Sequence, residues 1–150
     1  VPAEFNIGFD PEAAHVVFEA FPSFDLVDWE ATLRHAFDNA EFDRWLAAGD
    51  ERAAFFGRIA ATARRYNAEH ERGGLVAADA LAMAVALDPA IITRSERRAV
   101  AVELDGRLTR GATVVDWANR LGRRAQANIV LEVDHARFAA MVRRALGAPD

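Results

Sequence analysis

The chain has 150 residues, 52% hydrophobic and 27% charged, with a net charge of −5. That suits one domain or a large piece of one, permits a packed core, and argues against nucleic acid as partner, because a phosphate backbone wants a basic face. With no cysteine, disulfides and thiolate metal sites are excluded and a reducing cytoplasm is the expected location; no basic-then-apolar leader is read at the start, and the longest apolar run, 75–87, is broken by Asp79 and too short for a bilayer.

In chain order, residues 3–6 place Glu4 and Asn6 around Phe5. In extended backbone the acid and the amide point to the same side, where they can bind a polyol or form an ordinary polar loop. A helix follows, with Asp10 as cap, Pro11 at the first helical position and Glu12 in the first turn. Ala14, Val17, Phe18 and Phe21 give it one apolar face, and Pro22 stops it. Residues 24–29 read as a short strand, 30–37 as a helical turn or short helix, and 42–48 as a helix.

A longer helix is expected over 51–70, with Phe55, Ile59 and Tyr66 on one face and His70 one turn beyond. Such a face is either a substrate wall with a proton donor or a core aromatic with a rim histidine. Gly73-Gly74 ends it, 75–77 looks like a buried strand end, and Asp79 opens an apolar helix, 80–87, closed by Asp88-Pro89. Asp79 is then either a helix cap or a carboxylate at the carboxy end of a strand, where open α/β sheets bind ligands.

Residues 100–104 alternate as a strand, Asp105-Gly106 signals a hairpin, and 108–115 returns with a bend at Gly111. Residues 119–126 are read as a loop and 128–133 as a strand. The last helix starts at Asp134, with Val133 and Phe138 as a hydrophobic staple. Phe138, Met141, Val142 and Ala145 form its buried stripe, and Gly147 and Pro149 end it. His15, His35 and His135 make no metal-ligand pattern, and Trp29, Trp45 and Trp117 are read as packing residues. No phosphate loop or Ser-His-Asp pattern is present. The order of elements gives an α/β layer structure with a β-rich excursion near 99–116.

Three segments in register resemble the inosine-uridine preferring nucleoside hydrolases. Residues 3–7 with 10–14 resemble that family's AEFN…DPEAA stretch, 79–84 with 87–89 its HDPLA…LDP helix, and 102–104, 108–111 and 114–117 its VEL…LTRG…VVDW hairpin. The resemblance implies an open, mostly parallel sheet with flanking helices, here the carboxy-terminal part, with a β-hairpin excursion. It implies hydrolysis of the N-glycosidic bond of ribonucleosides to ribose and free base, in purine or pyrimidine salvage. The partner is then a small-molecule nucleoside, and the full-length form is expected to be a homo-oligomer. The resemblance implies calcium as the cofactor; calcium takes roughly six to eight oxygen ligands, so carboxylates, sugar hydroxyls and water can share one ion. Asp79 matches a calcium ligand, Glu4 and Asn6 match ribose-binding residues, and Phe5 between them shapes the sugar pocket.

Two departures limit this. The family's amino-terminal DxDxGxDD cluster, which supplies most of the calcium carboxylates, is absent from these residues. Residues 1–150 are therefore read as the carboxy-terminal part of one domain whose amino-terminal part is missing, by truncation or an incomplete gene model, and the chain alone is expected to be inactive. Uncovered apolar surface and marginal stability or association should follow. The family's usual acid, a His before the Asp, is here Ala78. No catalytic residue is assigned in its place; His70 is the candidate substitute. The competing expectation is a non-catalytic ligand-binding or structural module with the same fold.

Overall fold

The computed structural model describes residues 2–70 and 74–148. The chain forms two compact units, one of Val1–Asp28 with Ser95–Val130, the other of Trp29–Arg94 with Leu131–Asp150.

In the first unit, a five-residue helix α1 (Phe5–Phe9) leads into α2 (Pro11–Ala20), where the Asp10 carboxylate accepts the Ala13 N–H at 2.9 Å as expected of a cap. Phe18 is the buried anchor of α2, whereas Val17 and Phe21 of the expected apolar face are about half exposed. Strand β1 (Phe24–Val27) runs parallel to β5 (Ala127–Val133), with Phe24 opposite Ala127 and Val27 opposite Val130. The β2 strand (Ile92–Arg98) completes a sheet of order β1-β5-β2. β5 is its middle strand: Ala127, Ile129, Val130 and Val133 are all buried, the near-continuous burial that parallel sheets impose. β2 has no counterpart in the sequence reading. Its residues, ITRSERR, are mostly polar, and among the described residues it lies at one edge of the sheet, where charge discourages unwanted pairing.

The expected hairpin is present as β3 (Val100–Val102) antiparallel to β4 (Thr113–Val115). Asp105-Gly106 is not a two-residue turn, however. The strands are shorter than expected, and residues 103–112 form a structured loop closed by Glu103 N–H to Ala112 O at 2.9 Å.

In the second unit, α3 (Trp29–Arg34), α4 (Asn39–Ala48), α5 (Glu51–Glu69) and α6 (Ala78–Leu87) precede a 3-10 turn, Pro89–Ile91, and α7 (His135–Ala145) ends the unit. Phe37, Leu81, Ile91 and Phe138 are its largest fully buried side chains. The Phe37 ring lies 4.9 Å from Phe138 and 5.2 Å from Trp45, within the range where aromatic pairs add to simple area burial. The staple at α7 is as expected, with Val133 and Phe138 both buried, while the last stripe position is Leu146 rather than the exposed Ala145. Gly147 ends the helix at φ 76°; Pro149, the other expected terminator, lies outside the described residues, as does Gly73. Residues 75–77 are not a strand: Leu75 makes a single antiparallel bridge to Phe37.

Apolar surface remains uncovered in both units. Phe55, Ile59 and Tyr66 do share one face of α5, and that face points outward, each residue about half exposed. Phe5, Phe9 and Leu108 are more than 80% exposed. Among the described residues no helix is long and apolar enough to cross a membrane.

Candidate functional site

The acid and amide of residues 3–6 meet, but not on extended backbone. Glu4 is the N-cap of α1: its Oε2 accepts the N–H groups of Asn6 (2.8 Å) and Ile7 (3.2 Å). Its Oε1 accepts from Asn6 Nδ2 at 3.3 Å. The capping bonds draw the chain into a helical turn, which is why the expected extended geometry does not form. The consequence is a preset pair. Asn6 is exposed beside a carboxylate already fixed in place, and its Oδ1 and second Nδ2 hydrogen make no bond among the described residues, a donor and acceptor set suited to neighbouring hydroxyls. Phe5 projects into solvent, 81% exposed.

Asp79 lies in the second unit. The helix starts one residue earlier than expected, at Ala78, with Ala77 as an N-cap that makes no side-chain bond. Asp79 is therefore not the cap. It sits in the first turn, where the free N–H groups of the helix favour a negative charge. It is exposed, and its carboxylate makes no hydrogen bond or ion pair among the described residues. The lead-in is fixed by Gly74, at φ 80°, and by the Phe37–Leu75 bridge, whose N–H to O distances are 2.9 and 2.8 Å. Asn67 Nδ2 adds a bond to the Gly74 carbonyl at 3.3 Å.

Beside this helix start lies an open groove of about 480 Å³ whose walls include Trp29, Ile59, Ala63, Tyr66, Val76 and Ala78. Trp29 is therefore more than a packing residue: it shares the groove with Ile59, Ala63 and Tyr66, 30 or more residues away, which no local pattern records. Trp45 is buried as expected, and Trp117 is half exposed with the Arg98 guanidinium 5.9 Å from its ring centroid. Tyr66 and His70 stack with centroids 4.0 Å apart, and His70 Nδ1 lies 2.8 Å from the Tyr66 carbonyl. That carbonyl can only accept, so Nδ1 carries a proton and Nε2 is the position left to exchange one. The Ala78 methyl can donate no proton.

His35 and His135, one hundred residues apart, form a pair invisible in the sequence. Their Nδ1 atoms are 3.4 Å apart. Val133 N–H donates to His35 Nε2 at 3.2 Å, so the His35 proton is on Nδ1 and points at His135. Burial, then the neighbouring His135 and Arg34, hold His35 below the usual imidazole range, against a weaker opposite pull from Glu132. Among the described residues no group of three or more His, Cys, Asp or Glu side chains is arranged to hold a metal. Calcium wants about six to eight oxygens, so these residues do not by themselves fit that ion: Asp79 offers one carboxylate.

An open α/β fold that presents an acid–amide pair and a carboxylate at a helix start is compatible with several sugar-binding chemistries. The family model described as inosine-uridine preferring nucleoside hydrolase matches residues 1–140. The chain belongs to that family. It is 34% identical over 145 residues to an inosine-uridine preferring nucleoside hydrolase of Leishmania major, covering 96% of this chain and 46% of that protein. It is 32% identical over 139 residues to the pyrimidine-specific ribonucleoside hydrolase RihA of Salmonella schwarzengrund, covering 91% and 44%. Among solved structures, an inosine-guanosine nucleoside hydrolase superposes with a TM-score of 0.83 at 30% identity, over 99% of this chain and 47% of that one. A plant nucleoside hydrolase, PpNRh1, has a TM-score of 0.85 at 22% identity over 99% and 48%, a likeness of fold. The chain thus spans less than half the length of these relatives.

Proposed function

We propose that these residues are the carboxy-terminal part of a single nucleoside hydrolase domain, in a protein that hydrolyses the N-glycosidic bond of ribonucleosides to ribose and free base. The observation that carries this is the family match over 1–140. The names of relatives acting on inosine, uridine, guanosine and pyrimidine nucleosides support ribonucleosides as the substrate class and leave the base open.

On this reading, Glu4 and Asn6 bind ribose hydroxyls through the preset carboxylate and carboxamide, and Phe5 flanks the sugar. Asp79 contributes one oxygen to a calcium ion whose other protein ligands lie outside these residues. When bound, such an ion holds hydroxyls and acidifies a water; the residues of this chain hold and orient. The aromatic groove beside Ala78 suits a planar base, with Tyr66 as its wall. His70, stacked on Tyr66, is the candidate to protonate the leaving base.

The test is release of free base and reducing sugar from inosine, guanosine, uridine and cytidine by the protein extended to its relatives' length. Turnover is expected, with Asp79→Ala lowering kcat/KM by about 100-fold or more, the scale of losing several kcal/mol of charge stabilisation. Calcium titration should show tight binding that Asp79→Ala abolishes. No base release from any ribonucleoside would overturn the hydrolase reading; release without calcium binding would overturn only the role of Asp79.

A further inference from the structure

We infer that the β3–β4 loop, through Arg110 and Gly111, positions the Glu4–Asn6 segment for sugar binding; this rests on the sugar-binding reading of that segment. Helix α1 has five residues and buries none of them. So short a helix cannot hold itself, because the first turn fixes several residues for one hydrogen bond. Its geometry must be supplied from outside, and the loop supplies it at three points.

Before the pair, Ala3 forms an isolated antiparallel bridge to Ala112. After it, Gly111 packs against Gly8: a Cβ added to Gly111 would lie 3.2 Å from Gly8 Cα and 3.0 Å from Ala3 Cβ. Further on, Arg110 Nη2 reaches both Glu12 oxygens at 2.6 and 2.8 Å, in the first turn of α2. Glu4 and Asn6 are thus bracketed at residues 3, 8 and 12, with Glu4 partly exposed and Asn6 exposed.

The loop can serve as a brace because it is itself fixed. Glu103 Oε1 accepts the N–H groups of Asp105 (2.8 Å) and Gly106 (3.1 Å), which holds its carboxyl below the usual range. Gly111 N–H donates to Glu103 O at 2.7 Å, and Arg110 Nη1 to Leu104 O at 2.6 Å. Gly111 has φ 82°, so a side chain there meets both backbone strain and the Gly8 contact. The Arg110–Glu12 pair is largely solvated, and such pairs add little to global stability. Their loss should loosen α1 locally and leave the unit folded.

Amide hydrogen exchange on the 150-residue chain tests this without any need for activity. Arg110→Met should quicken exchange of the Asn6 and Ile7 amides about two- to fivefold, with Arg110→Lys between it and wild type. Gly111→Ala should quicken them about tenfold. The β5 amides should not change, and the charge-swapped Glu12→Arg/Arg110→Glu double variant should return Asn6 and Ile7 toward wild type. Unchanged Asn6 and Ile7, or a rise matched by β5, overturns the positioning role. In the nucleoside-hydrolysing form, the same variants should raise KM by similar factors with kcat retained; a merely structural defect lowers the active fraction and leaves KM alone, and an unchanged KM overturns the link to substrate. If the wild type hydrolyses nothing, the hydrolase reading fails while exchange still decides the positioning.

Discussion

Gly74→Ala should be among the most damaging single-methyl substitutions in the second unit, and its cost can be built from the local geometry. Gly74 has φ 80°, and left-handed backbone costs alanine about 1–2 kcal/mol. The new Cβ would lie 2.0 Å from the Phe37 carbonyl oxygen, an overlap that only movement of Phe37 relieves. That movement opens the reciprocal Phe37–Leu75 bonds, worth roughly 1 kcal/mol each. The sum is about 3–4 kcal/mol, or a melting point lower by about 10 °C for a chain of this size. Gly122→Ala is the internal control: φ is 61° there, but nothing lies within 4 Å of the added Cβ, so only the backbone cost of about 1–2 kcal/mol applies. Urea denaturation followed by far-UV circular dichroism, with unchanged m-values, measures both. If the two variants lose equal stability, the steric account of the Phe37–Gly74 contact is wrong. Because the same contact anchors the chain entering α6, Gly74→Ala should also weaken whatever Asp79 binds.

Stability should fall as pH is lowered below about 6.5, the ordinary imidazole value. His35 is held below that value when folded, so its contribution is complete above the unfolded pKa and is lost as pH falls through the folded one, at no more than about 1.4 kcal/mol per pH unit. His35→Gln, which keeps an acceptor for Val133 N–H, should flatten the denaturation midpoint against pH in this window; an unchanged slope would assign it elsewhere. In the nucleoside-hydrolysing form, Ala78→His should raise kcat for poor leaving bases about 100-fold or more, and a pH–rate profile without a new acidic group would refute that. His70→Ala should slow purine nucleoside release about 100-fold if His70 is the present proton donor; unchanged turnover rules it out.

Much of this protein follows from local rules that need no partner. Asp10, Asp50 and Asp134 accept N–H groups just beyond them, and each starts a helix where its short carboxylate can reach. The apolar run of β5 and the staple of Val133 and Phe138 were legible for the same reason, as was the resemblance carried by residues 3–14, 79–89 and 102–117. Features set by distant parts of the chain were not. β2 is strand only because β5 lies beside it, so its polar residues carry no strand signal. The Glu4 carboxylate reaches Asn6 and Ile7 within one turn, but the five-residue helix it caps is held by contacts of residues 3, 8 and 12 with the distant 103–112 loop, which no local pattern records; α6 begins at Ala78, ahead of Asp79, with no side-chain cap to signal it. The His35–His135 pair, the Arg110–Glu12 brace and the Trp29 wall join residues far apart in sequence. Local sequence specifies which backbone groups a side chain can reach within a turn or two; only the packed chain decides what meets across 30 to 100 residues.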